Sequence, residues 1–324
     1  MIFIVAHHIG VHGAYAENLT PFNSFVKILF SSGGKLGVNI FVLISGYFLV
    51  KSTFKWRRIL NTVCISAFYG VMIYLALLLF SPGMSFAVGD LSRSIFVIRG
   101  NLYWFVTCYV AMLLFSPFIN RLLSAISERE HLILIALLLF MQMIVPGITS
   151  YIPLSETAWF ITLYIIAAYI RLYPKKLFEN KLVTGIACII FCTVLAVWKY
   201  STAMTNLFCL LPSLSLFCFF NCLDVKHNRF INLISRTTFA VYLLHDNPFI
   251  RPRVWNVWLC NRMHSGLDGF ILFAALAVVI VFVVCSLIEL LRILLMKPLM
   301  PVIDRFVEKI GNEIKSLSSH FKRK

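Results

Sequence analysis

Charge is scarce in this chain. Asp and Glu together number 13 in 324 residues, charged residues make up 13% against 60% hydrophobic, and the mean hydropathy is +0.89. So little polar surface cannot cover a globule of this length, which excludes a soluble domain. Other absences narrow the class further. No C-x-x-C pair occurs, and Cys188/Cys192 and Cys218/Cys222 stand at helical spacing, so the nine cysteines read as small apolar fillers. Neither a disulfide nor a metal site is assigned to them. No basic stretch precedes the first apolar run, so no cleavable leader is expected. No internal repeat supports the inverted-repeat plan of many transporters. Gly33, Gly34, Gly37 and Gly46 come without a strand or a P-loop lysine. They are therefore expected to form a turn and close helix contacts rather than a phosphate cradle.

The shortage of acids leaves a net charge of +16, but the basic residues lie in short clusters between apolar runs. That is the pattern of loop charges in a membrane protein, not of a nucleic-acid-binding face. Apolar runs near the length of about 20 residues that spans a bilayer recur along the chain. Ten membrane helices are expected, near Met1–His12, Gly37–Val50, Ile59–Phe80, Leu102–Ile119, Leu132–Ile148, Thr157–Tyr173, Leu182–Trp198, Ala203–Cys222, Leu233–Phe249 and Leu267–Leu295. The fold class is thus an all-α polytopic integral membrane protein, residues 1–296, followed by a basic tail, 297–324. In the tail Val302, Ile303, Phe306, Val307, Ile310, Ile314 and Leu317 recur at three- and four-residue steps. This predicts an amphipathic helix on the inner leaflet, with Lys322, Arg323 and Lys324 drawn to anionic lipid. The first helix is too short to span at about 1.5 Å per residue, so Met1 is expected not to be the natural start.

Loop charges orient the bundle. Alternate loops and the tail hold 21 of the 29 Lys and Arg, and the opposite side holds the other eight. Both ends of the chain are expected in the cytoplasm. Four helix ends then converge on the far side. They carry His7, His8 and His12, then Lys35 and Asn39, then Tyr103 and Trp104, then His245 and Asp246. A polar pocket opening to that face is the economical reading. Imidazoles beside hydrocarbon are costly unless used, and imidazole starts near the pKa a general base needs. Each candidate has a plainer alternative. A histidine here can be an interfacial residue, Lys35 an ordinary juxtamembrane charge, and the Tyr103–Trp104 pair part of an aromatic belt.

Several segments carry a family resemblance. Ile4-Val5-Ala6-His7-His8 with His12-Gly13 is one, and the run from Gly34-Lys35-Leu36-Gly37-Val38-Asn39 through Ser45-Gly46-Tyr47-Phe48-Leu49 is the most specific. Tyr103-Trp104-Phe105-Val106 with Tyr109 and Pro117, and Val241-Tyr242-Leu243-Leu244-His245, complete the set. In order, over nearly the whole chain, they resemble the membrane acyltransferase-3 family, and within it O-acetyltransferases of bacterial cell-surface polysaccharides. The resemblance implies a protein of the bacterial plasma membrane with no tightly bound cofactor. Its acyl donor would be acyl-CoA, most often acetyl-CoA, and its acceptor a hydroxyl of a surface glycan or lipid-linked sugar. It also implies an essential first-helix histidine, for which His8 fits the register and His7 stays open. The family's arginine, eleven positions earlier, would fall before Met1. Asn39 and Tyr103 are candidates to stabilise an oxyanion, with Lys35, Trp104, His245 and Asp246 around the substrate. Two alternatives stand beside this: a glycan transporter or flippase coupling protons through His8 and His245, and an inactive relative that scaffolds a glycan-assembly complex.

The charge count has a direct check. A reporter fused after Lys181 should report cytoplasm and one fused after Arg93 the opposite compartment; the same compartment for both would overturn the assigned orientation.

Overall fold

The computed structural model describes residues 1–146, 155–197, 207–299, 305, 308–311 and 313. Among these the chain is helical with no strand. The helices are α1 Ile2–His12, α2 Pro21–Leu49, α3 Trp56–Phe80, α4 Val88–Ile95, α5 Trp104–Ala125 and α6 Glu128–Leu139. They continue with α7 Glu156–Leu172, α8 Lys176–Glu179, α9 Lys181–Val197, α10 Leu207–Asn221, α11 Arg229–His245, α12 Asn261–Ser265 and α13 Phe270–Met296. Four of them, α2, α3, α5 and α13, are long and apolar enough to cross a membrane. An α-helical membrane protein follows, but ten spans do not follow from these lengths. The other described apolar helices run to 17 residues or fewer, short of the hydrocarbon thickness. Residues 147–148, 198 and 203–206 of the expected spans, and most of the expected tail helix with Lys322, Arg323 and Lys324, lie outside the described residues.

The largest departure from the sequence reading is at α2. The expected turn at Ser31–Lys35 is helix, and α2 begins at Pro21 rather than near Gly37. Thr20 starts it by accepting from the Asn23 N–H at 3.1 Å, with Pro21 in the first position, where its missing N–H costs nothing. Ser31 and Ser32 stay helical by donating to the carbonyls of Lys27 and Ile28, at 2.7 and 2.8 Å. The glycines serve contact between helices. A Cβ on Gly37 would meet the Ile4 side chain at 2.9 Å, and one on Gly10 would meet the Ser31 backbone nitrogen at 2.7 Å. Without those side chains α1 lies directly along α2.

The centre of the bundle is α7, where Trp159, Phe160 and every residue from Thr162 to Ile170 are buried. Apolar on all sides, it is a core helix rather than an amphipathic one. Its polar atoms are satisfied by neighbours: Trp159 Nε1 donates to Asn39 at 3.0 Å, and Tyr164 donates to Asn120 at 2.7 Å. Deep between α3 and α13 the charges are paired, with Arg292 bidentate to Glu289 at 2.7 Å and Tyr69 donating to the same carboxylate.

Gly46 marks where α2 meets α7, since a Cβ there would stand 2.8 Å from the Tyr164 Cα. Gly46→Leu is expected to cost about 1–3 kcal/mol by overpacking. The check is thermal unfolding of the detergent-solubilised protein, and a Tm equal to wild type would overturn the assigned contact.

Candidate active site

His7 and His8 are neighbours on α1, so their side chains point about 100° apart. The structure uses both directions. His7 turns toward α2, its Nδ1 hydrogen-bonded to the Ser31 carbonyl and its ring over Gly34, where no Cβ intervenes. His8 turns toward α11, where its Nδ1 lies 2.8 Å from His245 Nε2. The far nitrogen of His245, Nδ1, is hydrogen-bonded to the carbonyl of Val241.

That chain has a direction. A carbonyl only accepts, so His245 Nδ1 carries the hydrogen, and in the neutral ring Nε2 is left as an acceptor. His8 Nδ1 must then be the donor. In neutral His8 the lone pair sits on Nε2, the atom that faces Asp246 Oδ1 at 3.6 Å. Two acceptors at that separation make no hydrogen bond with each other. An oxygen that carries a proton, such as a water or a substrate hydroxyl, can bridge them. His12, one turn beyond His8 on the same face, brings its Nε2 to 3.8 Å from the same carboxylate oxygen.

Asp246 is held from the loop side. It is the first residue past α11 and is buried, and Arg251 donates to its Oδ1 at 3.1 Å. The loop is pinned by Asn247, which donates to the Tyr103 hydroxyl at 2.8 Å and accepts from the Phe249 N–H at 2.9 Å. Tyr103 in turn donates to the Leu243 carbonyl at 2.9 Å. A second set of bonds ties the segment after α1 to the stretch before α13. Asn261 donates to the Ala14 carbonyl at 2.6 Å, and the Ala16 N–H donates to Ser265 at 2.9 Å.

These groups surround a cavity of about 410 Å³ lined by His7, His8, His12, Lys35, Trp104, Phe105, Tyr242, Asp246 and Arg251 among others. That volume lies within the roughly 300–1,000 Å³ of small-molecule sites. Of the residues singled out from the sequence, His7, His8, His12, Lys35, Trp104 and Asp246 line it, and His245 stands behind His8. Asn39 and Tyr103 are outside the lining. Asn39 is buried between Trp159 and Cys209, and the Tyr103 hydroxyl serves the Asn247 clamp. Lys35 is also placed differently from its expected helix end: it sits near the middle of α2, its Nζ 4.5 Å above the Trp104 ring. Tyr242 and Arg251 were not singled out from the sequence. The available signal was local, since Tyr242 is one helical turn before Asp246, and Arg251 follows across the Asn247–Pro248 turn.

His8, His12 and Asp246 also bring one ligand atom each to within 4.8 Å of one another, a grouping that a divalent ion can use. The Arg251 guanidinium on the same carboxylate oxygen and the Lys35 ammonium on the cavity wall oppose a further cation there.

Long apolar helices around a histidine-lined cavity define an α-helical membrane protein. Residues 1–290 match the family model of the acyltransferase domain, and the chain belongs to the acyltransferase-3 family, whose members transfer acyl groups. No curated protein and no solved structure gives a significant match.

Proposed function

We propose that this chain is a membrane O-acyltransferase that moves an acyl group, in particular acetyl, from acyl-CoA to a hydroxyl of a bacterial surface polysaccharide or its lipid-linked precursor. The observation that carries this reading is the chain from the Val241 carbonyl through His245 to His8, which leaves a proton-accepting nitrogen facing the cavity. The reading includes ten spans and two cytoplasmic ends; the loop charges favour them, and four helices long and apolar enough to cross a membrane support a multi-pass protein. The cavity then opens away from the side rich in Lys and Arg, so the acyl group enters it from the donor across the bundle.

In the proposed step the acceptor hydroxyl gives its proton to His8 Nε2 as its oxygen attacks the thioester carbonyl. The C–O bond forms, the C–S bond breaks, and the thiolate leaving group takes the proton back from His8. Asp246, 3.6 Å from that nitrogen, stabilises the imidazolium while it exists. Arg251 keeps the carboxylate oriented. His245 is a positioning residue: it touches no substrate and fixes which nitrogen of His8 is free.

His8→Ala is expected to lower kcat by about 10²- to 10⁴-fold. In cells the check is acetylation of surface polysaccharide, by NMR or mass spectrometry, in a deletion strain and in one carrying His8→Ala. Acetylation unchanged in both would overturn the acyltransferase reading.

His245 separates positioning from packing. His245→Ala is expected to lower kcat by about 10- to 100-fold with KM little changed, comparable to the loss of an orienting group behind a reactive one. His245→Gln, whose side-chain carbonyl can accept from His8 Nδ1–H, should recover part of it. Equal loss in both variants would show that the ring only fills space.

A further inference from the structure

Lys35 stands in an unusual place for a cation. It lies near the middle of a helix long and apolar enough to span a membrane, and its side chain lines the cavity. A charge on the wall of a cavity enclosed by apolar helices is costly unless something compensates it. No acidic side chain among the described residues forms an ion pair with it; its contact is the face of Trp104, 4.5 Å away. That cation–π contact is worth about 0.5–2 kcal/mol and leaves the charge in place.

The charges around the cavity point the same way. The charged side chains in its lining are Lys35, Arg251 and Asp246. Arg251 and Asp246 are engaged with each other at 3.1 Å, so with neutral histidines the cavity keeps one positive charge in excess. Asp246 lies in the field of Lys35 as well as that of Arg251, so one carboxylate is shared between two cations, and a low-dielectric cavity with one positive charge in excess favours an anion.

The cavity also limits which anion. At about 410 Å³ it can take a saccharide unit but not a whole acyl-CoA. An acyl-CoA that brings its thioester to His8 has the pantetheine arm between that thioester and its phosphates. Its negative charges therefore lie beyond the cavity when the reacting carbonyl lies within it. The anion beside Lys35 must come from the acceptor.

Resting on the acyltransferase reading, we propose that the acceptor is an acidic saccharide, and that Lys35, steadied by Trp104, binds a carboxylate or phosphate it carries close to the hydroxyl that is acylated. A carboxylate would mark a uronic-acid type of unit and a phosphate a sugar phosphate; both present anionic oxygens that accept from the ammonium.

The test uses the purified full-length protein in nanodiscs, with glucuronic acid, glucose 1-phosphate and glucose as probes, read as ligand-induced shifts in Tm and as Kd. Wild type should bind at least one acidic sugar about ten- to a hundredfold more tightly than glucose, the scale of one charge-assisted hydrogen bond. Binding of glucuronic acid alone assigns the carboxylate, and binding of glucose 1-phosphate alone assigns the phosphate. Lys35→Gln and Lys35→Met should lose that preference and Lys35→Arg should retain it. Equal binding of all three sugars by wild type overturns the proposal without any variant, as does a preference that survives in both neutral variants. Surface acetylation is scored separately with His8→Ala. If it is unchanged while the acidic-sugar preference stands, the acyltransferase reading falls and the anion subsite remains; the reverse result removes the subsite alone.

Discussion

The Nδ1 hydrogen of His245 is bonded to the carbonyl of Val241 within its own helix, and the chemistry on the cavity side is oriented by that bond. His245 and His8 are buried among packed helices, so hydrogen-bond polarity set at one end of the chain of rings is passed along it. From Val241 the polarity runs to His245 and then to His8, and it emerges as an acceptor at His8 Nε2. A serine or asparagine on α11 in place of His245 could accept from His8, but each has its own donor whose orientation is free. The ring of His245 cannot reverse while its other nitrogen is bound to a carbonyl.

The constraint reaches into the packing. His8 meets α11 only because α1 sits close on α2, and that closeness comes from the missing side chains of Gly10, Gly34 and Gly37. His7 is part of the same arrangement, its ring over Gly34 and its Nδ1 hydrogen-bonded to Ser31. The doubled histidine thus divides the labour, one ring tying α1 to α2 and the other facing the site. On the opposite wall the Tyr103–Asn247 clamp sets the loop that carries Asp246 and Arg251. An aromatic residue that looks like part of an interfacial belt is instead the anchor of a loop.

Much of this was legible in the sequence because it rests on local signals. Hydropathy gave the helical membrane class, and helical geometry gave the separate directions of His7 and His8 and the shared face of His8 and His12. The loop charges led to an expected convergence of four helix ends; three of them, carrying His8, Trp104 and Asp246, meet at the cavity, while α2 contributes Lys35 from its middle rather than its end. The start of α2 was not legible, because Ser31-Ser32-Gly33-Gly34 has the composition of a turn. Only contact with α1 explains why those residues are small, and that contact is tertiary. The roles of Asn39 and Tyr103 were hidden for a similar reason. A buried polar side chain acts through its partner, and the partners here, Trp159 and Asn247, are distant in sequence.

The position of Lys35 depends on the same helix. Had α2 begun near Gly37, Lys35 would be an ordinary charge at a helix end, hydrated and of little consequence. Because α2 runs back to Pro21, the same residue is carried inside the bundle, on the wall that also bears His8. The glycines that let α1 approach α2 therefore do two things together. They bring His8 to His245, and they require small, helix-compatible residues where a turn would otherwise have left Lys35 in water. The acceptor nitrogen and the excess cation share one cavity as a result of a single helix–helix contact, and any change that separates α1 from α2 should disturb both.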